Sequence, residues 1–578
     1  MKKINYTYTV IFLAAMTLLS GCNKDYLDSV PLDRVSASAV FSDAKYVEAY
    51  LSTIYNYLPN GYGNMSVGHM GSVGYGDITL LDQCTDIIVN KSGWPFGWVI
   101  NNSGMKPEDN GFDNWASSYK CIFYCNDLLT GLKNGTLPED FKTKIGAEVR
   151  FVRAFTYFDL VRRYGDVPFF TELQNLQDTT TIFVARTDKN LIYDFIDAEL
   201  TAVTEIMPWA KDAPATYLGP ATKEACIALN GRAMLFAERY AHSAELNKSI
   251  IDAVNGGTSD RVLSPDYRSL FVSQGGDKEV LLEVLFNGAE KGGSVDVLNV
   301  PSKYHGNWGG QSDPTQNMVD SYEMTNGKMP SEPGSGYDPQ NPYVNRDSRL
   351  EASILHHGSH FMDYNLDLTW ILIDGTWQPE ATNVDAPFAT GLSTITGYYL
   401  RKFMDESAPR GISEGQSKQS WKEIRLAEVY LNYAEAQFMV NPGDASILTA
   451  INLVRARAGQ PDLTTITMDK ILNERKIEFF YEGDRYWVIR RHKLGNQIFN
   501  PDPGNPGTYM NCCWVFKYGD GSLKYIYNAS DVPEPMRYPP NTSTRARHNW
   551  WDKEYFYPIP QDEINKNHQL VQNPGYGT

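Results

Sequence analysis

Cysteine is scarce. Seven in 578 residues are too few for a disulfide scaffold. Cys121 and Cys125 stand at i, i+4 in a helical pattern, with no histidine or second cysteine pair nearby. They read as small core-facing residues rather than half a zinc site. Basic residues are also short, 52 against 69 acidic, for a net charge of −17. A phosphate-neutralising surface needs the opposite balance, so nucleic acid is excluded as a partner. No apolar run reaches the roughly 20 residues of a membrane-spanning helix. Walker loops, dinucleotide fingerprints and HExxH are missing. One GxSxG occurs at Gly411–Gly415, but the preceding Asp405–Arg410 is loop chemistry, and a nucleophile elbow needs an apolar strand there. His356, His357 and His360 cluster without a second set of ligands and read as a solvated loop. No EF-hand pattern supports a calcium site, so no cofactor is expected.

Aromatic rings are abundant: 36 Tyr, 25 Phe and 12 Trp. Tyrosine in such excess suggests rings with one polar, exposed edge, as binding surfaces use them. The rest of the composition, 42% hydrophobic and 21% charged, is ordinary for a globular chain.

The start reads as an export signal. Lys2 and Lys3 precede an apolar run from Thr9 to Leu19, which ends in Leu19-Ser20-Gly21-Cys22. A basic start, a short apolar core and small residues at its end form a signal peptide. This ending resembles the bacterial lipoprotein box, which implies removal of residues 1–21 and lipidation of Cys22. Removal takes away two lysines and no acid, leaving −19. The chain is then expected to be anchored to a membrane and otherwise soluble.

The remainder reads as mainly α-helical. Apolar spacing near 3.6 predicts helices over Asp113–Lys133, Glu139–Tyr164, Lys189–Met207, Thr222–Ala241, Trp421–Val440, Asp444–Ala458 and Met468–Glu482. The stretch Val149–Val161 is apolar nearly all round and should be buried on most sides. Gly165 and Pro168 should stop that helix. Paired helices of this length suggest tetratricopeptide-like hairpins, with scaffold over 35–58, 113–256 and 419–494. One strand is expected at Glu279–Phe286. The segments 60–110 and 288–418 have little period and are rich in Gly, Pro, Asn, Trp and Tyr. Disordered chain lacks aromatics, so these are expected to be ordered, functional loops.

Several blocks carry a resemblance. They include Cys22-Asn23-Lys24-Asp25-Tyr26-Leu27-Asp28, Glu148–Phe158, Leu160–Pro168, Ile424–Ala436, Asn452–Gly459, Ile471–Arg485, Tyr557-Pro558-Ile559-Pro560 and Asn573-Pro574-Gly575-Tyr576. In this order, behind such a signal, they resemble the SusD/RagB-like nutrient-binding lipoproteins of Bacteroidetes. The resemblance spans nearly all of 22–578 and implies a single domain of about eight helices in four tetratricopeptide-like pairs, bearing loops and a few short strands. It implies a cell-surface lipoprotein of the outer membrane, without enzymatic activity, that binds glycan and delivers it to a SusC-like TonB-dependent transporter in polysaccharide utilisation. The alternative is a tetratricopeptide-like scaffold that binds a peptide or protein.

The matching blocks read as scaffold. Glu474, Arg475, Glu478, Glu482 and Arg485 permit ion pairs. Buried charges normally come paired, so they read as mutually neutralising rather than as a glycosidase pair. Arg150 and Arg153 read the same way, and Tyr481, Tyr486 and Trp487 read as core. The binding candidates lie in loops, because sugar rings stack on exposed flat aromatics while amides take their hydroxyls. The first set is Trp94, Phe96, Trp98 and Asn101, within Ser92–Asn102. The second is Tyr304, His305 and Trp308, within Lys303–Gln311. Tyr75, Tyr62, Trp370 and Trp377 are weaker. Neither loop holds a basic patch, which favours neutral or mixed glycans.

Overall fold

The computed structural model describes residues 40–59, 61, 81–90, 97–214, 218–288, 292–304, 310–391, 393–408, 415–502, 504, 507–527, 531 and 547–577. Its framework is a succession of helices. These are α1 (Ala44–Tyr55), α2 (Gly97–Ser103), α3 (Trp115–Asn134), α4 (Glu139–Tyr164), α5 (Lys189–Thr204) and α6 (Lys223–Phe236). After them come α7 (Tyr240–Asn255), α8 (Leu426–Val440), α9 (Ala445–Arg457), α10 (Met468–Glu478) and α11 (Asp484–Arg491). From α3 to α9 each helix packs against the next in the chain, the arrangement of stacked helical hairpins.

Caps and composition explain these elements. Asp188, Thr222, Asp444 and Thr467 each accept a hydrogen bond from a backbone N–H in the first turn of α5, α6, α9 and α10, satisfying donors that a helix start leaves open. Helix α4 is buried from Ala147 to Tyr164 except at Arg150. It ends at Gly165, whose φ of +72° suits glycine alone. The Gly165 N–H donates to the Val161 carbonyl at 3.0 Å.

Three expected helices are different. Trp421–Arg425 is a strand, β6, paired antiparallel with β2 (Val280–Val284). A partner some 140 residues upstream thus overrides the local helical pattern, and α8 begins only at Leu426. The chain from Thr222 to Ala241 breaks at Glu238, which adopts φ +59°. There Arg239 N–H donates back to the Met234 carbonyl at 2.9 Å, and α7 starts anew. No glycine or proline announces that reversal. Helix α10 stops at Glu478 rather than Glu482, ahead of left-handed Tyr481 and Gly483.

The rest of the loop-rich part is built on short strands. β1 (Ile88–Asn90) pairs antiparallel with β3 (Ser312–Pro314). β4 (Thr369–Ile373), β5 (Thr376–Pro379), β7 (Trp514–Lys517) and β8 (Leu523–Ile526) form a four-stranded sheet in the order β8-β7-β4-β5. Trp370 and Trp377 are 7% and 6% exposed. Their rings meet Trp514 and Phe516, each at 4.8 Å between centroids. They are therefore core of this sheet, not binding candidates.

Charged side chains form a buried lattice. Arg349 meets Asp347, Glu474 and Glu478 at 2.7, 2.6 and 2.9 Å. Arg425 meets Glu279, Glu478 and Glu482 at 2.8, 2.6 and 2.7 Å. Arg455 joins Glu323 and Glu474, Arg457 joins Glu279 and Glu478, and Lys402 joins Glu482. The pairing runs between elements rather than along one helix. Arg150 and Arg153 likewise converge on Glu199 at 2.8 and 2.7 Å. Tyr481, Tyr486 and Trp487 are buried, as are Cys121 and Cys125, which belong to the same apolar cluster.

Candidate functional site

The ribbon of β1 and β3 decides how the two aromatic segments are mounted. Asn90 lies opposite Ser312. The chain leaving β1 at Asn90 enters the first segment, and the chain arriving at β3 through Ser312 leaves the second. Both segments therefore attach at one end of one ribbon. Helix α2 takes up the C-terminal half of the first segment, where loop was expected, and returns to the same place.

Gln83 ties these parts together. It is fully buried in the 3-10 turn Asp82–Cys84. Its Nε2 donates to the Gln311 carbonyl at 3.3 Å and to Ser312 Oγ at 3.0 Å. Its Oε1 accepts from Asn90 Nδ2 at 2.8 Å, and its backbone carbonyl accepts from Asn101 Nδ2 at 2.8 Å. A carbonyl can only accept, so the Gln311 oxygen fixes which way round the Gln83 amide sits. Ser312 Oγ continues to the Tyr481 hydroxyl at 3.0 Å. The base of the second segment is closed by Gly310 N–H to the Val300 carbonyl, 3.1 Å, and by Gln311 N–H to the Leu298 carbonyl, 2.9 Å. Gly310 has φ +62°, and a Cβ there would stand 2.9 Å from the Tyr399 ring.

The far end of α2 is held from the C-terminal part of the chain. The Asn101 carbonyl accepts from Asn549 N–H at 3.0 Å and from its Nδ2 at 2.7 Å. Met105 N–H donates to Glu554 Oε1 at 2.8 Å. Burial pushes the Glu554 carboxyl up to about 7, although Arg490, the Met105 N–H and Lys553 oppose it. At the other end of the turn, Asp86 meets Arg485 at 2.7 Å. Burial alone would raise Asp86, but Arg485 and Lys476 outweigh it and hold the carboxyl at about 2.

Asn101, expected to take sugar hydroxyls, is instead 4% exposed. Its amide nitrogen is engaged by Gln83, so it is an anchor rather than a contact. Tyr304 is half-buried, with its ring 5.9 Å from Phe361 and 5.2 Å from Tyr364. Beside it, Lys303 N–H and the Tyr364 hydroxyl donate to the two oxygens of Asp385, at 2.9 and 2.8 Å. Trp98 lies in α2, and its side chain is outside the described structure. Cys22, Tyr62, Tyr75, Trp94, Phe96, His305, Trp308 and the Gly411–Ser413–Gly415 serine motif up to residue 414 lie outside the described residues.

The three histidines separate. His356 stacks on Tyr343 at 3.5 Å and faces Glu351 at 3.1 Å. His357 sits 3.6 Å from Asp367, and His360 faces Asn365 Oδ1 at 3.1 Å. Among the described residues no group of three His, Cys, Asp or Glu side chains could hold a metal. Sequence reasoning missed a recess of about 490 Å³ lined by Trp115, Tyr119, Phe123, Phe170, Phe183 and Leu570. It lies between α3 and the chain after α4, and the Tyr119 hydroxyl is committed to the Pro168 carbonyl at 2.8 Å.

Comparison with known proteins fixes the family. A family described as "SusD family" matches residues 278–576. A second, described as "Starch-binding associating with outer membrane", matches 25–235. The chain belongs to the SusD family. SusD-family proteins bind carbohydrate and are not enzymes. Among relatives, a SusD-like protein of Bacteroides ovatus is 23% identical, covering 98% of this chain and 97% of its own. The starch-binding protein SusD of Bacteroides thetaiotaomicron is 24% identical over 74% and 72% of the two chains. A solved SusD-like protein of Bacteroides fragilis superposes with a TM-score of 0.71 at 25% identity, covering 95% of this chain and all of that one. The SusD fold thus accounts for the helical stack, and the strands and loops are what it carries.

Proposed function

We propose that this SusD-family chain is a cell-surface lipoprotein, anchored through Cys22, that captures neutral oligosaccharide. It hands that ligand to a SusC-like TonB-dependent transporter. The observation that carries this reading is the shared mounting of the two aromatic segments on one end of the β1/β3 ribbon. A sugar chain needs several flat rings within reach of one another, with amides between them. Gln83 joins the bases of both segments, which supports a common binding face for Trp94, Phe96, Trp98, His305 and Trp308. The family description of starch binding at the outer membrane and a laminarin-binding SusD-like neighbour in structure support glucans as the first ligands to try.

The test is calorimetric titration with malto- and laminari-oligosaccharides. Trp94→Ala with Trp98→Ala should abolish binding while the melting temperature stays unchanged. Unaltered affinity overturns the site. Capture of peptides with no glycan binding overturns the ligand class.

A further inference from the structure

The recess between α3 and the chain after α4 shares no lining residue with the two aromatic segments or the β1/β3 ribbon. Its volume of about 490 Å³ lies in the range of small-molecule sites, about 300–1,000 Å³. Five rings wall it, those of Trp115, Tyr119, Phe123, Phe170 and Phe183. Neighbouring rings meet at steep angles. Trp115 stands against Tyr119 at 5.0 Å and 52°, and Tyr119 against Phe170 at 6.0 Å and 78°. The walls therefore offer both faces and edges, the two halves of a favourable ring contact. Leu176, which also lines the recess, is 63% exposed and marks its open mouth.

We propose that this recess is a second binding site, for a carboxylate carried on two or three aromatic rings. The size follows from the volume. A cavity of about 150 Å³ takes one benzene, so this one holds two or three such rings. The apolar body follows from polar groups of the wall that are already spent. The Tyr119 hydroxyl donates to the Pro168 carbonyl. Asn567 Nδ2 donates to the Val184 carbonyl at 2.9 Å, and its Oδ1 accepts from Gln569 N–H at 3.1 Å. A sugar would find few partners there for its hydroxyls, and burying them unpaired is costly. The charge follows from two lysines. Lys566 answers Glu563, the one carboxylate among the described lining residues, at 2.8 Å. Lys120 is exposed on α3 with its ammonium 5.8 Å from the Tyr124 ring. It makes no ion pair among the described residues. The recess thus presents aromatic walls and one unanswered cation, and the proposal stands apart from the glycan site.

The experiment titrates the protein by calorimetry with biphenylcarboxylate, its amide, dodecanoate and maltohexaose, with melting temperatures in parallel. Biphenylcarboxylate should bind at one site and raise the melting temperature. Ala116 is exposed and lines the recess, so Ala116→Trp fills the space without entering the core. It should cut that affinity about tenfold or more. Leu176→Glu, at another exposed position, sets a negative charge at the mouth and replaces Ala116→Trp should that variant melt early. Lys120→Met should weaken the acid about two- to fivefold, the worth of an exposed ion pair, and leave the amide unchanged. Absence of binding to wild type, or binding that survives both Ala116→Trp and Leu176→Glu, overturns the site. Dodecanoate or maltohexaose bound there more tightly than biphenylcarboxylate overturns the ligand class. An equal loss for acid and amide in Lys120→Met overturns the role of the cation. Maltohexaose bound elsewhere should keep its affinity in Ala116→Trp. A parallel loss would make the two sites one and overturn the inference.

Discussion

Replacing Arg425 by methionine tests the buried lattice most directly. The guanidinium is 1% exposed on its side chain and faces three carboxylates, those of Glu279, Glu478 and Glu482, at 2.6–2.8 Å. It also donates to the Glu478 carbonyl at 2.9 Å. Methionine fills much of the volume beside Phe479, over whose ring the guanidinium lies at 4.4 Å, so the lost packing is small. The lost charge is not. Breaking a buried pair on one side costs about 3–5 kcal/mol, because the abandoned carboxylates stay desolvated. A chain of this size unfolds with an entropy of roughly 1.2 kcal/mol per kelvin, from about 2.1 cal/mol/K per residue. The expected fall in melting temperature at pH 7 is therefore about 3–4 °C by differential scanning calorimetry. The pH dependence gives the sign. Glu279 is already raised by burial despite Arg457 and Arg425, and losing Arg425 raises it further. A proton on Glu279 removes the repulsion, so the deficit should shrink as the pH falls from 7 to 5. A deficit below about 1 °C, or one that does not change with pH, refutes the view that these charges hold the core together in pairs.

Glu554 gives a second pH test. Its folded carboxyl lies near 7 against an ordinary 4.5, so the folded state binds the extra proton. Stability then falls as the pH rises from about 4.5 to about 7, by about 3 kcal/mol in all. Glu554→Gln should flatten that slope and melt about 2–3 °C above wild type at pH 8. A variant with the wild-type slope would show that another group carries it. Gly165→Ala should lower the melting temperature by about 1–2 °C, since φ of +72° with ψ of −124° strains an L-residue by about 1–3 kcal/mol. The added Cβ would meet the Phe556 ring at an ordinary 3.5 Å, so no further loss is expected, and an unchanged melting temperature refutes the strain.

Much of the scaffold was legible because its signals are local. Helix α4 runs from Glu139 to Tyr164 as its apolar spacing and its Gly165-Pro168 stop predict. The strand at Val280–Val284 falls inside its expected range. Trp421–Arg425 was not legible as a strand, since what makes it one is β2, far away in sequence. The reversal at Glu238 uses a residue with no turn signature. The aromatic segments stood out by their Gly, Pro and Trp content. Their common mounting did not, because Ile88–Asn90 and Ser312–Pro314 are too short to show a period. Gln83 carried no signal either: a lone glutamine in Leu81-Asp82-Gln83-Cys84 has nothing to mark it as a hub. Asn101 misled for the same reason, since an amide near loop aromatics looks alike whether it faces solvent or a buried carbonyl.

The bond between Gln83 and Gln311 also has a kinetic consequence. Closing a loop of 228 residues costs about 3 kcal/mol more chain entropy than closing one of roughly ten. Nothing nearby compensates until the helices between have stacked. Contacts of such long range form late and slowly. During refolding from denaturant, recovery of glycan binding should therefore lag behind recovery of helical circular dichroism. A chain that has regained its helices would still be blind to its ligand until the two halves meet.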